Sequence, residues 1–230
     1  WWVEITDDCI RKATGVMNRE RSLRRRLASL MAADNPPLTG RQLFDLKSII
    51  SGIPADFEQY EQACDLLGKK EPCGGRDPRV RVLMTGVPMA HGSERVLDSI
   101  EDSGGLVVAM ETCSGLKPIL EDVDLDAADP IDALAEKYFH LPCSVMTQND
   151  RRLESIGRLA ETYRPDCVIE LIWQACLTYD VESRRVRRYA EEELGIPYLR
   201  IETDYAPSDS ARIAVRIEGL FETIRGVAGK

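Results

Sequence analysis

Three cysteines, Cys113, Cys143 and Cys176, follow one another at separations of 30 and 33 residues. A strand, its crossover helix and the next strand occupy roughly 30 residues. Thiols at that period can therefore gather at one edge of a parallel sheet although they lie far apart in the chain. Each stands where a strand is expected to hand over to a loop: Glu111-Thr112-Cys113-Ser114-Gly115, Pro142-Cys143-Ser144-Val145 and Trp173-Gln174-Ala175-Cys176. Thiolates are ligands of iron-sulfur clusters and of structural zinc. The spacing matches neither the CxxC pairs of zinc ribbons nor the compact ferredoxin runs, so position at strand ends carries the reading. On position alone, ligation and incidental loop cysteines both stay open. Gly115 fits a backbone that approaches an inorganic body closely, and equally a simple turn.

Other chemistry is thinly represented. The loop Thr85-Gly86-Val87-Pro88-Met89-Ala90-His91-Gly92 precedes a helical pattern but has neither the GxGxxG fingerprint nor the Walker lysine spacing. There is no GxSxG elbow and no HExxH, and only two histidines are present, which argues against a hydrolytic triad or a zinc protease. His91 reads as a loop or cap residue and His140 as a helix-end residue. Asp122, Asp124, Asp126 and Asp129 lack the EF-hand glycine and terminal glutamate, and read as solvated surface. Cys167 opens an apolar strand, where a small thiol packs. Cys9 and Cys64 sit in helical patterns and are read the same way, while Cys73 falls in a linker.

The elements that must position the cysteines follow from periodicity. From Arg79 onward, short apolar runs alternate with amphipathic helical patterns, the signature of a parallel sheet covered on both faces. Strands are expected at Val80 to Met84, Leu106 to Met110, Cys167 to Ile172 and Tyr198 to Ile201, with a weaker element around Pro142 to Val145. Helices are expected at about 92–102, 130–139, 149–163, 180–194 and 209–226. In such a sheet, ligands bind beyond the carboxyl ends of the strands, where helix N-termini point. The N-terminal part instead reads as helical over Asp7 to Met31 and Gly40 to Ile50. A break at Lys69 to Pro78 places a boundary near residue 76, giving a helical segment and linker (1–76) before a Rossmann-like α/β domain (77–230).

The composition of 230 residues, 43% of them hydrophobic, suits one sizeable core. A formal net charge of −9 offers no overall footprint for nucleic acid or an anionic membrane. The run Arg19, Arg21, Arg24, Arg25 and Arg26 reads as one solvated helix face. No apolar stretch reaches the roughly 18 residues of a membrane helix, and no signal peptide is legible, so a cytoplasmic protein is expected. Seven cysteines there argue for buried thiols plus a few ligands rather than a disulfide framework. The opening Trp1-Trp2-Val3, without an initiator methionine, reads as the start of a fragment whose preceding part would cover these aromatics.

The strings RVLMTGVPM, GGLVVAMETCSGLKPILEDVD, LPCSVMTQNDRRL, QACLTYDVESRRVRR and GIPYLRIETDYAPSDSARIAVRIEGLFE resemble the C-terminal half of the 2-hydroxyacyl-CoA dehydratase and benzoyl-CoA reductase superfamily. The likeness covers about residues 15–226 and looks strongest toward the double-cubane cluster proteins, whose chains are roughly twice as long. It implies an oxygen-sensitive iron-sulfur component, with a 4Fe-4S or double-cubane cluster reduced by a separate ATP-hydrolysing activator and passing electrons to a small substrate. The alternative it implies is a subunit of a 2-hydroxyacyl-CoA dehydratase or benzoyl-CoA reductase acting on an acyl-CoA. A third reading, outside the resemblance, is a non-redox binding module with incidental or zinc-binding cysteines. The family's cysteine positions fall on Cys113 and Cys176, and Cys143 fits the third, so the resemblance assigns cluster ligation to these three. A dimer is expected. Ala211 and Arg212 occupy the place of the Gly-Gln pair frequent among relatives after the TDY motif.

Overall fold

Four aliphatic runs, with few groups that would resist drying, become four parallel strands: β1 (Val80–Gly86), β2 (Gly105–Glu111), β3 (Cys167–Trp173) and β4 (Tyr198–Thr203). The computed structural model describes residues 4–46, 52–69, 75–146 and 148–228. Trp1, Trp2, Val3 and Cys73 lie outside them. Strand order is β2-β1-β3-β4. The connection from β1 to β2 carries α4 (Arg95–Asp102), that from β2 to β3 carries α5 (Pro130–Phe139) and α6 (Asp150–Tyr163), and that from β3 to β4 carries α7 (Leu177–Arg188). After β4 the chain ends in α8 (Ser210–Ala228). The order turns from one side of β1 to the other, so the loops after β1 and β3 flank the switch point at which such sheets bind ligands.

Alternation along the strands divides two cores. Val82, Met84, Val107, Ile169 and Leu171 face one side, with Val96, Leu97 and Ile100 of α4 and Ile213, Ile217 and Phe221 of α8. Leu83, Leu106, Val108 and Val168 face the other, under Leu159 and Tyr163 of α6. The N-terminal helices α1 (Asp7–Ser29) and α3 (Pro54–Gly68) join that second core through Leu23, Leu27, Phe57 and Tyr60. The short helix α2 (Gly40–Leu46) reaches the first core through Phe44. The expected α/β sheet with helices on both faces and a helical N-terminal segment is what forms.

Local chemistry sets the boundaries. Thr6 caps α1 by accepting from the Cys9 amide, and Asp129 caps α5 by accepting from the amides of Ile131 and Asp132 before Pro130 at the first helical position. Opposite the cysteine edge, the buried Arg81 guanidinium donates to the carbonyls of Met31, Ala33 and Tyr163, riveting the turn after α1 and the end of α6 to β1. The basic run on α1 departs from the expected solvated face. Arg21 and Arg24 are buried, Arg19 and Arg26 pair with Glu61 and Asp65 of α3, and Arg25 clamps Asp122 and the Ile119 carbonyl. It is a brace between elements rather than a free surface.

Candidate functional site

The first cysteine sits in a turn that leaves β2 and folds straight back. Gly115 N–H donates to the Thr112 carbonyl at 3.0 Å, and Leu116 N–H to the Met110 carbonyl at 2.8 Å. A Cβ at Gly115 would stand 2.2 Å from the Met110 carbonyl oxygen, so glycine is required by close approach to the turn's own strand. Cys113 is left exposed at the tip. Ser114 Oγ accepts from the Met89 amide at 3.0 Å and ties this turn to the loop after β1.

Two amides of the loop after β1 are spent within it, while those of Val87 and Met89 go to Leu171 and Ser114. Ala90 N–H goes to Ser93 Oγ and Gly92 N–H to Glu94 Oε2.

Cys176 lies just past β3, where it caps α7. Its N–H donates to the Trp173 carbonyl at 2.9 Å, and Ala175 before it holds φ +68°. The left-handed region costs a residue with a Cβ about 1 kcal/mol or more. That cost falls on the residue next to a candidate ligand. Trp173 donates from Nε1 to the Pro88 carbonyl and stacks on Tyr205 at 4.6 Å, linking the loops after β1, β3 and β4.

Cys143 reaches the same neighbourhood by another route. The expected weak strand around Pro142 to Val145 does not form; these residues make a turn between α5 and α6, because Pro142 cannot donate to a ladder and Leu141 and Cys143 bond to each other instead. The turn is docked by side chains. Ser144 Oγ donates to Thr178 Oγ1 at 3.2 Å, two residues beyond Cys176, and Asn149 Nδ2 donates to the Cys143 carbonyl at 2.8 Å. Cys113 and Cys176 therefore stand at strand ends as expected, and Cys143 is brought toward Cys176 by helix contacts.

Beneath this edge lies a dry ionic layer. Glu111, Thr85 and Glu170 are register partners across β2, β1 and β3, and all three side chains are buried. Arg152 of α6, itself buried, spans the row. Nη2 meets Glu170 at 2.7 Å and Thr85 Oγ1 at 3.1 Å, Nε approaches Glu111 at 3.4 Å, and Nη1 meets Glu182 of α7 at 2.7 Å. Its plane lies 4.8 Å from the Tyr179 ring centroid. Lys117 adds a second cation, 2.9 Å from Glu111 and 3.2 Å from the Tyr179 hydroxyl. Tyr198 donates to Glu170 at 2.5 Å.

The electrostatics of the layer follow from burial first and partners second. Burial alone would discharge Arg152 and Lys117, yet the adjacent carboxylates, Glu111 foremost, hold both above their ordinary values. Burial pushes Glu170 up, against the pull of Arg152 and of the Tyr198 hydroxyl. Burial pushes the Tyr179 hydroxyl up, against the pull of Lys117 and Arg152. No motif points to these residues. The available signal is a glutamate at the end of one apolar strand and another in the middle of the next, a pattern that buried strands tolerate only with paired charges.

The remaining cysteines divide by burial. Cys64 and Cys167 are buried, and burial pushes both thiols up, that of Cys167 strongly. Cys9, expected to pack, is exposed at the start of α1, where Thr6 lowers its thiol. All six described cysteines are free thiols.

A single zinc ion with bonds of about 2.3 Å would draw three sulfurs to within about 4 Å of one another. Among the described residues, the only three such ligand atoms lying mutually within 4.8 Å are those of Asp45, His91 and Glu94, not the three thiols. Arg41 already supplies a cation to that group, through its contacts with Asp45 and Glu94. The thiol set is therefore spread wider than one such ion spans. Beside it, at the end of β4, an open polar cleft of about 590 Å³ is lined by residues including Arg200, Thr203, Asp204, Asp209, Arg212 and Arg216. Among the described residues, no helix is long and apolar enough to cross a membrane.

Comparison with known proteins gives the family. The profile described as "2-hydroxyglutaryl-CoA dehydratase, D-component" matches residues 2–224. The "Putative dehydratase subunit YjiM" of Escherichia coli (strain K12) is 34% identical over 231 residues, covering 96% of this chain and 58% of that protein. The "(R)-phenyllactyl-CoA dehydratase beta subunit" of Clostridium sporogenes is 23% identical over 225 residues, with the same 96% and 58% coverage. The chain thus spans under two thirds of the length of these relatives. Both relatives carry dehydratase names, which favours the dehydratase-subunit alternative over the electron-passing reductase reading. The chain belongs to the 2-hydroxyglutaryl-CoA dehydratase D-component family.

Proposed function

We propose that this chain is the cysteine-bearing part of a 2-hydroxyacyl-CoA dehydratase component, and that Cys113, Cys143 and Cys176 hold an iron-sulfur cluster. The observation that supports this most is that three free thiols, on three separate turns of the chain, are held at one sheet edge by Ser114, by Ser144 and by the N-terminus of α7. They differ from the packed thiols of Cys64 and Cys167 in being accessible. When bound, a cluster supplies one-electron transfer and an electron-accepting iron for a substrate oxygen.

The chain's own residues do the rest. Cys176 presents its thiol at the N-terminus of α7. The turns at Gly115 and Ala175 fix the backbone on either side of β1. The ionic layer below closes the edge against water from the protein side, since its carboxylates and cations are consumed by one another.

The name of the Clostridium sporogenes relative supports an acyl-CoA as the substrate, and both names support a partner subunit in the working enzyme. An ATP-hydrolysing activator would deliver the electron, which agrees with the missing nucleotide motif in the loop after β1. The test is anaerobic purification of the protein in its natural full-length form, followed by assay with activator, ATP and a 2-hydroxyacyl-CoA. Dehydration that disappears in Cys113→Ser and Cys176→Ser supports the reading. Full activity in both variants, or none in a protein shown to carry a cluster, overturns it.

A further inference from the structure

We propose that Arg152, acting with Asn149 and Glu182, is the positioning residue that locks the three cysteine-bearing loops into one unit. The inference rests on the proposed cluster site, but its physical content concerns the protein alone. Each loop is one short step from the same guanidinium. Glu111, which accepts from Arg152 Nε, is two residues before Cys113. Glu182, which accepts from Arg152 Nη1, lies on the helix that Cys176 caps. Asn149, three residues before Arg152, uses one Nδ2 both on the Cys143 carbonyl at 2.8 Å and on Glu182 at 3.0 Å. Lys117, following the Cys113 turn, reaches back to Glu111 and to Tyr179 of α7.

The type of residue matters. A guanidinium has five N–H donors in a fixed plane, so one side chain can hold acceptors on β1, β2, β3 and α7 in a set geometry. An ammonium keeps the charge but not the fork. Removing the guanidinium would also leave Glu170 buried without its counter-charge and Glu111 with Lys117 alone, and an unpaired buried carboxylate draws in water or a proton. Partners behind metal ligands commonly govern affinity by about 10-fold to 100-fold. Arg81 provides a control: an equally buried guanidinium at the other end of β1, whose bonds run to the turn after α1 and to the end of α6 and to no cysteine loop.

The experiment compares wild type, Arg152→Met, Arg152→Lys, Glu182→Gln and Arg81→Met in the full-length protein. In metal-free samples, a short bifunctional maleimide followed by mass spectrometry reads how often Cys143 is linked to Cys176 and Cys113 to Cys176. Retained protection of Cys64 and Cys167 from alkylation shows that the fold persists. After anaerobic reconstitution, iron and sulfide per polypeptide and the electron paramagnetic resonance spectrum of the reduced protein are recorded.

The expected result is that Arg152→Met loses both links and retains about 10-fold less iron. Arg152→Lys should be intermediate, Glu182→Gln should weaken the Cys143 to Cys176 link, and Arg81→Met should lower thermal stability without altering links or spectrum. Should Arg152→Met fail to fold, Arg152→Lys and Glu182→Gln decide. Wild-type linking in every folded variant of Arg152 and Glu182 overturns the proposal. Because linking needs no metal, a wild type that binds no iron would defeat the cluster reading while leaving this one to be judged.

Discussion

Ser144 and Thr178 share a hydrogen bond of 3.2 Å that joins the turn carrying Cys143 to the helix capped by Cys176. No strand brings Cys143 to the edge, so this contact and the Asn149 bond to its carbonyl take the place of sheet geometry. Ser144→Ala removes one partly buried hydrogen bond and should cost about 1 kcal/mol. Alkylation of Cys143 should quicken while that of Cys113 stays as it was, measured by mass spectrometry on the metal-free protein.

Ala175 holds φ +68° immediately before Cys176. Ala175→Gly relieves the Cβ clash of the left-handed region, partly offset by the freer unfolded chain, and should leave the protein equal or more stable by up to about 1 kcal/mol. Ala175→Val should be less stable by about 1–2 kcal/mol, since a branched side chain suits that region worse. Urea unfolding midpoints of the two variants check the order.

Accessibility should sort the thiols. Burial pushes Cys167 and Cys64 up, so both stay protonated and shielded at pH 8, whereas Cys113 is open to reagent. A timed iodoacetamide series should modify Cys113 early and Cys167 only after denaturant is added. Bound iron and sulfide should slow Cys113, Cys143 and Cys176 together, and chelation of the iron should restore their rates.

Asp77 accepts from the backbone amide, Nε and Nη2 of Arg79 at the start of β1, and the Arg79 hydrogen bonds hold its carboxyl below the usual carboxylate range. Between its lowered folded value and its ordinary unfolded value of about 4, the unfolded chain binds more protons. This contribution is therefore complete above that ordinary value and is lost as pH falls through the folded one. Asp77→Asn should be less stable than wild type at pH 7, with the gap narrowing toward pH 3 in parallel urea titrations.

Much of this architecture is legible in the chain before any coordinates. Each of the four expected strands lies within the strand that forms, and the helix expected at 130–139 is the observed Pro130–Phe139, because Asp129 and Pro130 are strong start signals. The helix expected at 180–194 instead starts at Leu177 and passes into a π-helical turn over Tyr189–Glu193, since Cys176 is a weak cap signal. Cys113 and Cys176 could be placed because strand ends are local events. Cys143 could not, because its position depends on Ser144 and Asn149 meeting residues more than 30 positions away. The Arg152 layer is hidden for the same reason: its partners are set by register between strands and by the rotation of α6, which periodicity does not specify.

The most direct test of the account is chemical. Anaerobically isolated full-length protein, analysed for iron and acid-labile sulfide per polypeptide, should contain both, at about four irons for a single cubane or about eight for a double one. Cys113→Ser, Cys143→Ser and Cys176→Ser should each lose most of that iron while remaining folded. A colourless protein without sulfide after reconstitution, or iron content unchanged in all three variants, would contradict the assignment of these cysteines as cluster ligands.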